Sequence, residues 1–187
     1  MIVRDANGNP VGGVSVTFAV ASGGGSVTPT TPVTTNANGI AAVTSWILGP
    51  TAGPNSLTAT ASGLAGSPVT FTATGTAGTA TQMAINAGNG QTATAGTAVA
   101  IEPSVIVRDA NGNPVGGVSV TFAVASGGGT VTPTTSVTTG ANGIAAVTSW
   151  ILGPTAGPNS LTATASGLAG SPVTFTATGT AGTATQM

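Results

Sequence analysis

The chain has 187 residues, of which 40% are apolar and 3% are charged, with a formal net charge of −1 at pH 7. The charged side chains are Arg4, Asp5, Glu102, Arg108 and Asp109, too few to form a basic face for nucleic acid or for an anionic membrane surface. Cysteine and histidine are absent, which excludes disulfides and Cys/His metal sites.

One long repeat organises the sequence. Residues 1–83 and 105–187 align at an offset of 104 residues with four differences. The differing pairs are Met1/Val105, Ser26/Thr130, Pro32/Ser136 and Asn36/Gly140. The chain is therefore a tandem array of one module. The predicted domains are residues 1–78, a module that lacks its N-terminal strands, and residues 79–187, a complete module.

The first half of each module reads as short strands separated by tight turns. A half-buried strand is predicted around Val3, and residues 6–10 turn the chain because Asn-Gly favours positive φ and Pro10 cannot donate to a sheet. Residues 14–20 alternate Val or Phe with Ser, Thr or Ala, which is typical of a strand with one buried face. Further short strands are predicted at residues 26–28 and 32–35, followed by a turn at 36–39.

Residues 40–48 are apolar on both sides of the alternation. Ala41 and Val43 share one parity, whereas Trp46 and Leu48 share the other. One extra residue near Thr44 would bring all four to the same face, so the pattern predicts a β-bulge there.

Alternating strands are next predicted at residues 57–61 and 69–74, joined by a hairpin-like connection. A connector of small residues follows at 75–81, and the second module opens with strands predicted at 84–85 and 97–101. No segment of ten or more residues has a convincing 3.6-residue period. The sequence therefore predicts an all-β sandwich or barrel.

Four runs in a fixed order carry a family resemblance: VRDANGNPVGGVSVTFAVASGGG, TTNANGIAAVT, LTATASG and PVTFTATG. They resemble bacterial immunoglobulin-like domains of the invasin/intimin group, over nearly the whole of both modules. The resemblance implies tandem immunoglobulin-like β-sandwiches in a secreted or surface-anchored bacterial protein, used as stalk or spacer. Nothing in the chain resembles the lectin-like tip or the outer-membrane barrel of such proteins, so adhesive specificity is not implied.

The first module has no counterpart of residues 84–104, which are expected to open the second module. A sandwich that lacks an edge strand exposes apolar surface and unpaired backbone groups. Two interpretations stay open: the chain is a window from a longer array, or a neighbouring chain supplies the strand and links subunits into a fibre. No run approaches the length of a membrane span, so we expect no direct membrane insertion, and any secretion signal or anchor is expected outside this segment.

Two loops have the alternate spacing that begins a calcium loop. Their candidate ligands are Asp5, Asn7 and Asn9, repeated as Asp109, Asn111 and Asn113. Calcium takes six to eight oxygen ligands, but each loop offers one carboxylate and no acidic residue at the bidentate position. The sequence favours a turn held by Asx and Asn-Gly geometry, with calcium as the weaker alternative, and no cofactor is predicted.

Two other features have a functional and a structural interpretation. Residues 88–93 match a GxGxxA dinucleotide fingerprint, but no helix is predicted to hold a phosphate, so a loop is favoured. Trp46 and Trp150 could stack on a sugar, although a core or interface role is commoner for tryptophan on an apolar strand. With no histidine or lysine and one glutamate, the chain has no plausible general base and is not expected to be an enzyme.

The sequence therefore predicts a structural repeat module of an extracellular or cell-surface stalk or fibre. Its expected partners are other copies of itself or adjoining repeats, because near-zero charge gives little long-range repulsion between copies. Two alternatives stay open. One is a glycan- or receptor-binding adhesin module, and the other is an immunoglobulin-like decoration of a phage or virion surface.

Overall fold

The computed structural model describes residues 1–186, which form strands and turns without any helix. This confirms the predicted all-β class. It also follows that no described segment is a helix able to cross a membrane. The chain divides into two compact units, of which unit 1 is Met1–Thr76 and unit 2 begins at Ala77. The predicted domain limits, 1–78 and 79–187, stay a prediction.

Unit 1 is built from two antiparallel sheets. Its strands are β1 (Ser15–Ser22), β2 (Gly25–Thr28), β3 (Val33–Thr34), β4 (Ser45–Leu48), β5 (Gly53–Thr60) and β6 (Val69–Gly75). One sheet has the order β3-β1-β5-β6, and β2 pairs with β4 in the other. Strand β6 is therefore an edge of the larger sheet.

Unit 2 repeats these elements and adds others. Its strands are β7 (Ala80–Ala87), β8 (Gln91–Thr94), β9 (Ser104–Asp109), β10 (Ser119–Ser126), β11 (Gly129–Thr132), β12 (Val137–Thr138), β13 (Ile144–Ala146), β14 (Ser149–Leu152), β15 (Gly157–Thr164) and β16 (Val173–Thr180). The large sheet has the order β12-β10-β15-β16-β8, and the opposite layer consists of β13-β9-β7 and β11-β14. Strand β8 pairs with β16 in parallel, whereas β7 pairs with β9 antiparallel.

The alternating residues form the core of each unit, as the sequence predicts. In β1, Val16 and Phe18 are buried while the serine, threonine and alanine between them face solvent. Their counterparts Val120 and Phe122 are buried in β10. The pairings β1·β5 and β10·β15 have the same register, each with an irregularity after the last valine of the alternating run. Threonine suits the solvated face because a β-branched side chain favours a strand and stays hydrated without charge.

The parity change predicted after residue 43 is present, but a strand break causes it and not a β-bulge. In unit 2 the buried residues Val147 and Trp150 are three positions apart. Strand β13 pairs with β9, whereas β14 pairs with β11, so the chain leaves one sheet and enters another. Thr148, at the break, donates its backbone N–H (2.7 Å) and its hydroxyl (3.1 Å) to the carbonyl of Thr132.

The strand predicted at residues 97–101 is wrong. Within that segment only Ala98 forms a bridge, to Ile151, whereas β8 lies at Gln91–Thr94, where a loop was predicted. The reason is hydrogen bonding to a distant partner: β8 joins the edge of β16, and the side-chain oxygen of Asn89 accepts the Thr176 N–H at 2.8 Å. A local pattern does not reveal such a partner.

Candidate functional site

The two candidate calcium loops are tight turns in which the carboxylate accepts hydrogen bonds from its own loop. In unit 1, Asp5 Oδ1 accepts the N–H groups of Asn7 (2.9 Å) and Asn9 (2.8 Å). Its other oxygen accepts the Asn9 side-chain amide at 3.0 Å. This is the Asx geometry predicted from the sequence, and the loop reverses at Gly8, where φ is 88°.

The corresponding loop of unit 2 has the same bonds and one more. Asp109 Oδ1 accepts the N–H groups of Asn111 and Asn113, each at 2.9 Å. Its Oδ2 accepts the Asn113 amide at 2.9 Å and also the backbone N–H of Gly78 at 2.8 Å. Asp109 is buried, whereas Asp5 is exposed. The segment ahead of β7 thus completes the hydrogen bonding of the second carboxylate.

Hydrogen bonds lower the pKa of both carboxyl groups. For Asp109, the Asn113 side-chain amide and then the Gly78 N–H are the main causes, and they lower its pKa to about 2. For Asp5, the Asn9 side chain and backbone lower the pKa. Donors that bind the ionised form stabilise it, so both groups are carboxylates at neutral pH.

These loops offer few oxygens to a cation. The carboxylate oxygens accept N–H donors in both copies, and calcium would have to displace those donors. No group of three or more His, Cys, Asp or Glu side chains that could hold a metal occurs among residues 1–186. Calcium at Asp5, Asn7 and Asn9, or at Asp109, Asn111 and Asn113, stays a prediction.

The two tryptophans lie in different environments. Trp150 is fully buried in the core of unit 2, and Trp46 is half-buried in unit 1. The indole nitrogen of each is buried and has no hydrogen-bond partner. Neither ring therefore combines an exposed face with neighbouring hydrogen bonds, which is the arrangement expected of a sugar platform.

Unit 1 has two open grooves. The first, which we name the edge groove, has a volume of about 340 Å³ and lies between residues 1–6 and residues 61–69. The second, which we name the tryptophan groove, has a volume of about 330 Å³. Phe18, Trp46, Leu57 and Phe71 are among its lining residues. Both grooves are mainly apolar.

In unit 2 the equivalent of the edge groove is filled by β7. The Met83 N–H donates to the Ala169 carbonyl, and the Ala169 N–H donates to the Thr81 carbonyl, both at 2.9 Å. The Met83 side chain is 4% exposed and belongs to the core cluster. The tryptophan groove has its counterpart beneath β8, where Ala93 and Val99 pack on the core. The grooves of unit 1 are therefore the seats of two strands.

Sequence reasoning missed two pairs of buried polar residues. Thr35 accepts the Val14 N–H and donates to the Val11 carbonyl, both at 2.9 Å, and Thr139 does the same in unit 2. Asn55 accepts the Gly49 N–H at 3.2 Å, as Asn159 accepts that of Gly153 at 3.0 Å. They satisfy backbone groups of loops, so their role is structural. Their signal was a polar residue at a position of apolar parity.

The sequence profile of the family described as bacterial Ig-like domain (group 1) matches residues 1–74 and 89–178. These two segments cover most of both units. No curated protein sequence matches the chain.

Among solved structures, the chain is similar to Yersinia pseudotuberculosis InvD, with 23% identity and a TM-score of 0.60, over 100% of this chain and 53% of that one. It is also similar to FdeC, an Escherichia coli adhesin (23% identity, TM-score 0.46, 95% of this chain and 58% of that one), and to the D0-D1 domain of intimin (24%, 0.38, 94% and 84%). The chain thus spans about half the length of the InvD structure. The InvD likeness agrees with the predicted immunoglobulin-like sandwich fold.

Proposed function

Because the chain belongs to the bacterial Ig-like domain (group 1) family, we propose that it is a structural repeat module of a secreted or cell-surface bacterial stalk or fibre. Its role is to provide length. The eight-residue strands of each module span about 26 Å at ~3.3 Å per residue. The proposal includes association with other copies by strand addition at an open sheet edge.

One observation carries this proposal: the polar groups of each module are satisfied within that module, and in the same way in both copies. The Asp loops, the buried threonines and the buried asparagines recur with nearly the same hydrogen-bond distances. A binding face would require polar groups aimed outward from one copy. Repetition of a self-contained unit instead supports reach that grows with the number of modules.

Single-molecule pulling of the full chain tests the proposal. We expect two separate unfolding events, with length increments of about 25 nm for unit 1 and about 35 nm for unit 2 at ~3.4 Å per residue. Refolding between pulls should restore both events, because a spacer has to survive repeated load. One cooperative event, or irreversible loss after the first pull, would contradict a modular spacer.

A glycan array separates this proposal from the adhesin alternative. The full chain should give no signal above a control immunoglobulin-like sandwich. Binding that disappears in Trp46→Ala but persists in Trp150→Ala would instead support a glycan site in the tryptophan groove of unit 1.

A further inference from the structure

The last residues of the chain repeat the segment that fills the edge groove in unit 2. Residues 181–187 have the sequence AGTATQM, identical to residues 77–83. In unit 2 that first copy runs from the Gly78 N–H that binds Asp109 through the first half of β7. Residues 181–186 lie outside the strands and are exposed. The chain thus presents a second copy of a strand whose binding groove is known.

Unit 1 offers the groove in which this sequence fits. It has the same edge residues as β9, since Ile2, Val3, Arg4 and Asp5 correspond to residues 106–109. Around the edge groove, Leu64 and Val69 are 39% and 37% exposed. The counterpart of Val69 in unit 2, Val173, is 8% exposed. An added strand would cover this apolar surface and pair the edge.

We propose that residues 181–187 of one copy add as a β-strand to the edge groove of unit 1 in a second copy, so that copies join head to tail. This inference rests on the proposed function and deepens it by naming the donor strand and its seat. The register is that of β7 on β9, where Ala80, Gln82 and Met83 lie opposite Asp109, Arg108 and Val107.

The added strand reproduces the contacts of residues 78–83. Gly182 donates its N–H to Asp5 Oδ2, as Gly78 does to Asp109. Gln186 donates its side-chain amide to the Asp5 carbonyl, as Gln82 does to that of Asp109 at 3.1 Å. Met187 takes the place of Met83 in the apolar groove. Each bond uses a group that is already oriented in unit 1, because the Asp5 loop has the same geometry as the Asp109 loop.

A pair of glycines gives a sharp test of this docking. A Cβ added at Gly170 would collide with the Met83 carbonyl oxygen, whereas one added at Gly66, its counterpart in unit 1, meets nothing within 4 Å. Gly66→Ala therefore blocks the incoming strand without creating a clash inside unit 1. Gly63→Ala is the matched control, since Gly63 has φ of 75° against 79° for Gly66, and neither Gly63 nor its counterpart Gly167 has a neighbour within 4 Å.

The experiment is sedimentation velocity of the full chain over a wide concentration range. The wild type should form dimers and longer oligomers as concentration rises. Gly66→Ala and Met187→Asp should weaken association by about tenfold or more, because one introduces a backbone clash and the other puts an unpaired charge into an apolar groove. Gly63→Ala and Met187→Leu should associate like the wild type.

Cross-linking checks the register. The chain has no cysteine, so mixing the Arg4→Cys and Gln186→Cys variants should give an intermolecular disulfide, because the equivalent residues Arg108 and Gln82 lie opposite each other. Thr74→Cys, on the open edge of β6, should not cross-link to Gln186→Cys.

Three results would overturn the inference: a wild type that stays monomeric, association that Gly66→Ala and Met187→Asp leave unchanged, or cross-linking to the β6 edge instead. In each case the two-step pulling result of the proposed spacer would still stand or fall by itself.

Discussion

Units 1 and 2 have nearly the same sequence over their shared strands, yet the same side chains are buried to different extents. Phe175 is fully buried, whereas Phe71 is half-buried, and the same contrast separates Trp150 from Trp46. The difference arises from β7 and β8, which unit 2 has in addition. Core residues therefore depend on the strands that close the sheet edges as well as on their own strand.

The contrast also extends to the polar loops. Asp109 accepts a hydrogen bond from Gly78, which belongs to the segment that precedes β7, and Asp109 is buried. Asp5 accepts its printed hydrogen bonds from its own loop and is exposed. One segment thus completes both the apolar core and the loop of unit 2. Unit 2 should accordingly be the more stable unit.

The largest expected difference between the units is at the phenylalanines. Phe175→Ala should lower the free energy of unfolding of unit 2 by about 3–5 kcal/mol, because it leaves a cavity in a closed core. Phe71→Ala should cost unit 1 about 1–2 kcal/mol, since the groove beside it already reaches solvent. Denaturant unfolding followed by tryptophan fluorescence measures each unit separately, with Trp46→Phe leaving the unit 2 reporter and Trp150→Phe leaving that of unit 1. Equal losses in the two units would contradict the comparison.

Adding the closing strands to unit 1 should remove much of the difference. A chain extended ahead of Met1 by a copy of residues 80–104 should gain on the order of 3 kcal/mol in the free energy of unfolding of unit 1, because Trp46, Val69 and Phe71 become covered. The ordering entropy of the added residues opposes this gain. The measurement is denaturant unfolding followed by Trp46 fluorescence in the Trp150→Phe background.

Acrylamide quenching of Trp46 should fall at the same time. An extension of the same composition in scrambled order is the control, and a gain with the scrambled extension would attribute the effect to length alone.

A smaller difference is expected at the glycines that face the edge strand. Gly66→Ala and Gly170→Ala both place alanine at positive φ, which costs about 1–2 kcal/mol. Gly170→Ala should cost about 1–2 kcal/mol more, because its Cβ meets the Met83 carbonyl and β7 has to shift. The midpoints of thermal unfolding of the two variants, each against the wild type, measure this difference. Identical shifts would mean that β7 moves away without cost.

The smallest expected effect is the pH dependence of the Asp loops. Folding lowers the pKa of Asp109 from about 3.8 to about 2, so its contribution to stability is complete above about pH 4 and is lost as pH falls through about 2. The folded-state pKa of Asp5 is also lowered, and its contribution is lost in the same direction. Thermal unfolding between pH 5 and about pH 2 measures both losses.

Asp109→Asn should flatten the acid-induced loss of unit 2, and Asp5→Asn should flatten that of unit 1. An acid response of unit 2 that Asp109→Asn leaves unchanged would assign it to another group.

Much of each module could be predicted from the sequence. The alternation from Val14 to Val20 predicts a strand with one buried face, and the Asp5 and Asp109 turns have the Asx geometry that their spacing indicates. These features are local, because side-chain alternation and turn chemistry operate within a few residues.

The position of the closing strands could not be predicted in the same way. Residues 97–101 have the better strand pattern, yet Gln91–Thr94 forms β8 because it pairs with β16, and Asn89 binds Thr176 across 87 residues of sequence. Likewise the parity change at Thr148 reflects transfer to another sheet, which depends on the positions of β9 and β11. Long-range pairing selects among segments with similar local propensity.

The sequence by itself determined the repeat, the all-β class, the alternating core and the two Asp turns, because each depends on neighbouring residues or on direct comparison of the two copies. Only the tertiary structure decided that Phe71 and Trp46 differ in burial from Phe175 and Trp150, and that a groove in unit 1 matches the seat of β7. The physical reason is that burial depends on which distant strand covers a sheet edge, and identical local sequences do not carry that information.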